Sequence, residues 1–339
     1  MMDALRRFAD SYPVTAYVLL CFLITWSVWF SIPTVAGDDW TLIKIFTGAG
    51  IGPGMAAVLL DRLRRGWNEN DFTRSWWTAF VFVAAIVIGL DIWSLMAGDG
   101  PTLALAASAE PAGLSLVGVA GALISAALAG FVFATARSSR SKYLNSITRI
   151  RVKPYWWMVA LLLPALVYTM GIGAAIIFGS QLPDPPLLGA EVAEWAPFVV
   201  RAALFTYFVV CVGEEPGWRG YMLPELQARY SPLVATIILG AVWGVWHFPL
   251  FVIGLYSGDP LAGTLFYVVF TTSLAVLFTW LFNGTGGILS LTLMLHLAIN
   301  TTPKILPVTW WAGVALLLLA GYLIYRSTMW RRGSMERRG

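Results

Sequence analysis

Long apolar runs with almost no charge inside them constrain this chain more than any other feature. A helix needs roughly 20 apolar residues to cross the hydrocarbon core of a bilayer, about 30 Å thick. A backbone in lipid must also satisfy its own hydrogen bonds, which restricts it to helices or closed barrels. Runs of suitable length lie near 14–35, 41–60, 76–97, 114–136, 155–179, 198–215, 232–253, 262–282, 286–300 and 308–326; the ninth is short and Pro164 interrupts the fifth. The expectation is an all-α, multi-pass transmembrane helical bundle of eight to ten spans. Charged residues make up 12% of the chain, about half the usual share in a soluble domain.

The placement of charge orients the bundle. If all ten runs cross, 19 of the 22 Lys and Arg residues fall on one side, and only Lys44, Arg201 and Lys304 fall on the other. Such a bias predicts that both termini are cytoplasmic. Confinement of the basic residues to short loops also argues against a nucleic-acid surface. Arg6 and Arg7 precede the first apolar run, and Thr34-Val35-Ala36 offers small residues at a conceivable cleavage site. The run is long for a signal peptide, so a retained first helix is expected. Trp40, Trp76, Trp77, Trp156, Trp157, Trp195, Trp310, Trp311 and Trp330 fall at expected span ends, where indoles anchor at the headgroup level. Cys21 and Cys211 sit in apolar runs with no metal-motif spacing and read as small filler.

The basic loop 137–153 divides the chain into a front block, 1–150, of about four spans and unknown role, and a back block, 151–339. Polar groups at membrane depth are expensive and usually functional, and apart from a lone Asp91 they all fall in the back block. The first cluster, Gly213-Glu214-Glu215-Pro216-Gly217-Trp218-Arg219-Gly220, is expected to end the sixth span. Glu215 and Arg219 are spaced to pair on a helix, which leaves Glu214 free to face a cavity, and Pro216 with its flanking glycines should kink the helix. The second cluster places Trp243 one turn before His247, and the third places His296 and Asn300 on one helical face. Each has an ordinary reading alone: a charged membrane-exit cap, a packed histidine, interhelical hydrogen bonding. The chain has only two histidines, and both lie in spans of the same block, which favours a shared site. Asn283 and Asn300 match the glycosylation pattern, but the first is expected on the cytoplasmic side and the second overlaps the site.

The three motifs, at 214–219, 243–247 and 296–300, resemble those of the CAAX-processing prenyl-protease and bacteriocin-processing family, also called the Abi family. Its pattern is E-E-x-x-x-R, an aromatic with x-x-x-H, and H-x-x-x-N on separate helices. Trp243 stands where the family often has Phe. The resemblance covers roughly 195–302 and implies an intramembrane glutamic endopeptidase. It implies Glu214 as general base assisted by His247, His296 with Asn300 as oxyanion hole, and Glu215, Arg219 and Trp243 as structural support. No cofactor is implied. The expected partners are the lipid bilayer and a membrane-associated protein or peptide substrate, prenylated in the CAAX case. The expected location is the bacterial cytoplasmic membrane, with the site nearer its cytoplasmic side.

Three alternatives stand beside this reading. A zinc-dependent peptidase would use Glu214, His247 and His296 as ligands around an open water position, although the chain has no H-E-x-x-H. A transporter could use the same groups as a proton relay, and a non-catalytic immunity protein could share the fold.

Overall fold

The computed structural model describes residues 2–35, 48–66, 72–97, 116–185 and 191–332. Among these the chain is helical, with no strand. Helix α1 (Met2–Ser11) precedes α2 (Pro13–Trp29), α3 (Gly52–Arg65), α4 (Arg74–Ala97), α5 (Leu116–Arg137) and α6 (Pro154–Ile177). The back half continues with α7, a 33-residue rod from Trp195–Gln227. It is followed by α8 (Pro232–Trp246), α9 (Pro260–Gly284), α10 (Leu289–Thr301) and α11 (Trp310–Ser327). Proline opens α2, α6, α8 and α9, where its missing N–H would have had no helical partner. Asp259 caps α9 by accepting from the amides of Leu261 and Ala262 at 3.0 and 2.9 Å.

Among the described residues, six helices are long and apolar enough to cross a membrane, and Arg74–Leu90 and Leu123–Arg137 are shorter apolar helices. Two expected spans differ from this. The run at 41–60 contributes the 14-residue α3, which ends in charged residues, and its first part lies outside the described residues. The run at 286–300 becomes the 13-residue α10, about 20 Å long at 1.5 Å per residue, too short to span. Pro164 does not interrupt α6, which runs through it. Trp40, Lys44 and the loop 98–113 lie outside the described residues, as does the Asp91 side chain. Trp76, read as an anchor, is buried against Phe80 and donates to the Thr135 hydroxyl, whereas Trp77, Trp310 and Trp330 are exposed. Cys21 and Cys211 are free and buried.

The largest departure is α7. The acid pair does not end the helix; the chain continues helically for three more turns. Pro216 has no N–H for the carbonyl of Val212, and the ladder adjusts through π-turns at Thr206–Cys211 and Trp218–Met222 on either side of Val212–Gly217. Such adjustments let proline persist inside membrane helices.

Two features of the front block hold the back block. First, Gly213 and Gly217, one turn apart on α7, face the start of α3. A methyl on Gly213 would lie 2.7 Å from Ile51 Cα, and one on Gly217 would lie 2.5 Å from the Pro53 carbonyl and against the Tyr17 hydroxyl. Small residues at i and i+4 allow this backbone approach. Second, the 3-10 turn Leu144–Thr148 in the basic loop caps α10: Ser146 Oγ accepts from the Leu289 amide at 2.9 Å and donates to the Gly287 carbonyl at 3.1 Å. At one end of the bundle, Arg64 of α3 pairs with Asp10 at 3.1 Å and with Glu225 at 2.5 Å. Burial opposes the Arg64 charge, but the bonds to Glu225 and Tyr221 hold its pKa above the ordinary arginine value.

Alanine for glycine inside a helix normally gains about 1 kcal/mol. Gly213→Ala is expected to do the opposite, lowering the melting temperature in detergent by several degrees, because Ile51 backbone occupies the space. Gly321→Ala on α11, where a methyl meets nothing within 4 Å, is the control and should melt at or above wild type.

Candidate active site

The site begins with two adjacent carboxylates that α7 turns to different surroundings. Glu215 is fully buried, and its Oε1 accepts from Arg219 Nη1 at 2.8 Å and from His296 Nδ1 at 2.8 Å. The ion pair expected from sequence spacing is therefore present, and it has a third member on α10. The Arg219 guanidinium lies 3.7 Å from the Phe278 ring centroid and 4.5 Å from that of Trp243, so aromatic faces stabilise charge that the single carboxylate leaves uncompensated.

Glu214 retains 5% exposure. Its Oε2 accepts from two indoles, Trp218 Nε1 at 3.1 Å one turn along α7 and Trp243 Nε1 at 2.9 Å from α8. No described residue hydrogen-bonds Oε1. The expectation of a free Glu214 is corrected to a carboxylate held by one oxygen, because Trp218 uses the same i, i+4 spacing as Arg219.

His247 ends α8 as its C-cap residue, and its Nδ1–H donates to the Trp243 carbonyl at 2.8 Å. That bond places the proton on Nδ1 and leaves Nε2 with its lone pair. Aromatic rings surround the imidazole: Tyr267 packs edge-on at 4.7 Å and Tyr256 stacks at 6.0 Å between centroids. Tyr256 comes from the loop after α8. Its phenol pKa is raised, chiefly by burial. Trp243 stands between the two imidazoles, 6.4 Å from His247 and 5.9 Å from His296 by ring centroids.

Glu214, Glu215, Arg219, Trp243, His247 and His296 are thus brought together by α7, α8 and α10. Asn300 lies one turn beyond His296 on α10, half-buried, with no hydrogen bond to the other site residues among those described. Sequence reasoning missed Trp218, whose spacing from Glu214 was the available signal. It also missed Tyr256 and Tyr267, which no local spacing marks. For the zinc alternative, no three His, Cys, Asp or Glu side chains gather as a metal set among the described residues, and Glu214 Oε2 is already held by indoles. A cavity of about 940 Å³ opens beside Arg64, Lys142, Tyr221, Glu225 and Gly287, at the end of the bundle where Arg64 meets Glu225. Its nearest α7 residues follow Glu214 by six and seven positions, about 10 Å at helical rise.

Removing one partner of a buried ion pair strands the other charge, at a cost of about 3–5 kcal/mol. Arg219→Met is expected to lose stability on that scale in equilibrium unfolding from mixed micelles. Adding Glu215→Gln should recover part of the loss, since the two substitutions are coupled.

Comparison with known proteins is consistent with this arrangement. A curated relative, CAAX prenyl protease 2 of Methanococcus maripaludis, is 28% identical over 184 residues, which are 51% of this chain and 66% of the relative. Over residues 196–302, the stretch that contains all three motifs, the chain matches the family model of the Rce1-like type II CAAX prenyl endopeptidases, the family resemblance carried by Glu214-Glu215, Trp243…His247 and His296…Asn300.

Proposed function

We propose that this chain is an intramembrane endopeptidase that hydrolyses a peptide bond of a membrane-associated protein or peptide with a glutamate-activated water. The observation that carries the reading is the contrast between the two acids. Glu215 is sealed among Arg219 and His296, while Glu214 has one oxygen held by indoles and the other without a partner among the described residues.

Glu214 Oε1 takes a proton from water, and His247 Nε2 accepts the water's second hydrogen bond, which orients the lone pair. A base within hydrogen-bond reach of its proton is the first requirement of such catalysis. The oxygen then bonds to the scissile carbonyl carbon, and negative charge passes to the carbonyl oxygen. His296 Nε2 and the Asn300 carboxamide donate to that oxyanion. With Nδ1–H already given to Glu215, a donor at Nε2 makes His296 an imidazolium, and Glu215 supplies the adjacent counter-charge. The carbon–nitrogen bond breaks as Glu214 returns its proton to the leaving amine, releasing the amine and a carboxylic acid, whose remaining water-derived proton passes to solvent to leave the carboxylate. No step needs a metal. Preset oxyanion donors of this kind are each worth about 10²–10³ in kcat.

The names of the matching family model and of the relative support, as substrate class, a CAAX-type C-terminal segment on a prenylated protein, presented at the bilayer. The bias of basic residues to one side supports cytoplasmic termini and a site reached from the cytoplasmic half of the membrane.

Glu214→Gln is expected to abolish cleavage of a lipid-anchored peptide while melting like wild type, with mass spectrometry of the peptide's new C-terminus as the readout; undiminished processing by this variant would refute the assignment. His296→Ala should lower kcat by about 10²–10³. Exhaustive chelation should leave the wild-type rate unchanged, and loss of activity that zinc restores would replace this mechanism with a metal-dependent one.

A further inference from the structure

Trp243 touches more of the site than any catalytic candidate does. Its indole N–H donates to Glu214 Oε2 at 2.9 Å, and its backbone carbonyl accepts the His247 Nδ1–H at 2.8 Å. Its ring packs edge-on to His296 at 5.9 Å and beneath the Arg219 guanidinium at 4.5 Å. The side chain is itself fixed, being 4% exposed with Phe278 edge-on at 5.8 Å. This is more than the structural support that sequence spacing suggested.

We infer that Trp243 is a positioning residue that selects the working oxygen of Glu214 and, through its carbonyl, the working nitrogen of His247. The functional meaning of this inference rests on the peptidase reading above. The last torsion of a glutamate is soft and roughly two-fold, so an unrestrained carboxylate exchanges its two oxygens and swings away from any one direction. Two N–H donors converging on Oε2 remove that freedom. One comes from the same helix and the other from across the bundle, so neither α7 nor α8 can shift without breaking a bond. Hydrogen bonds to an ionised oxygen are the stronger kind. Oε1 is then held in one direction, with no bond from another described residue. The Trp243 carbonyl acts on the second group at the same time, because a proton held on Nδ1 keeps Nε2 an acceptor. Trp218 adds its bond at 3.1 Å but reaches neither imidazole through a hydrogen bond, so Trp243 is the residue that couples the two.

The test removes the indole N–H and nothing else. β-(3-Benzothienyl)alanine placed at position 243 keeps the bicyclic shape and the backbone carbonyl while replacing N–H by sulfur, and Trp243→Phe is the coded counterpart should the analogue not fold. Wild type, Glu214→Gln and the position-243 variants are compared on a lipid-anchored peptide, alongside their melting temperatures. The expected result is a fall in kcat of about 10- to 100-fold, as for loss of a charged hydrogen bond, with KM unchanged within about twofold and melting close to wild type. The second readout does not depend on cleavage: the carboxylate infrared band that disappears in Glu214→Gln is expected to move when the N–H is removed. Wild-type kcat together with an unmoved band would overturn the inference while leaving the peptidase reading intact. If wild type and Glu214→Gln behave alike on the peptide, the peptidase reading fails, and the band alone decides whether Trp243 orients Glu214, a moved band supporting it and an unmoved band ending it.

Discussion

The buried contact among Glu215, Arg219 and His296 is the interaction on which the remaining geometry depends. Moving two charges out of water costs several kcal/mol each, and the pair recovers this only with good geometry and further hydrogen bonds. Here the carboxylate oxygen takes bonds from both Arg219 and His296, and the guanidinium lies against two aromatic rings. The arrangement fixes the rotation of α7 about its axis, because Glu215 must face α10. With that rotation set, Glu214, about 100° round the helix, faces the indoles of Trp218 and Trp243. Glu215 therefore determines where Glu214 points.

Helix irregularity and close packing serve the same end. Pro216 would break a regular ladder in the middle of α7, and the two π-turns that accommodate it shift the register on either side of the acid pair. The glycines at 213 and 217 then bring α7 against the start of α3. The motif residues Gly213 to Gly217 thus combine two roles: their acids face the site, and their glycines form the packing surface on the front block. That surface is the structural connection between the first part of the chain and the chemistry.

Much of this was legible in the sequence, and the physical reasons for the rest differ case by case. Hydropathy marked the membrane-crossing helices because burial in lipid selects composition over whole windows. It failed at 198–215 because it stops at charge, whereas a paired, buried charge lets α7 continue to Gln227. It over-read 286–300, where the apolar residues of α10 are buried by protein rather than lipid. Spacing i, i+4 revealed the Glu215–Arg219 pair, and the same rule applied to Glu214 would have revealed Trp218. The bonds from His296 to Glu215 and from Trp243 to Glu214 join residues 81 and 29 positions apart, and no local period encodes them.

The cap on α10 reaches across the chain in a similar way. Ser146 lies in a basic loop without any recognisable signature, yet its hydroxyl receives the amide that starts the helix bearing His296. A small alcohol two turns from His296 along α10 thereby helps to set the tilt and depth at which that ring meets Glu215. When variants of this chain are sorted by consequence, distance from a motif is a poor guide to harmlessness: a loss at this loop would register as damaged chemistry, with every signature residue untouched.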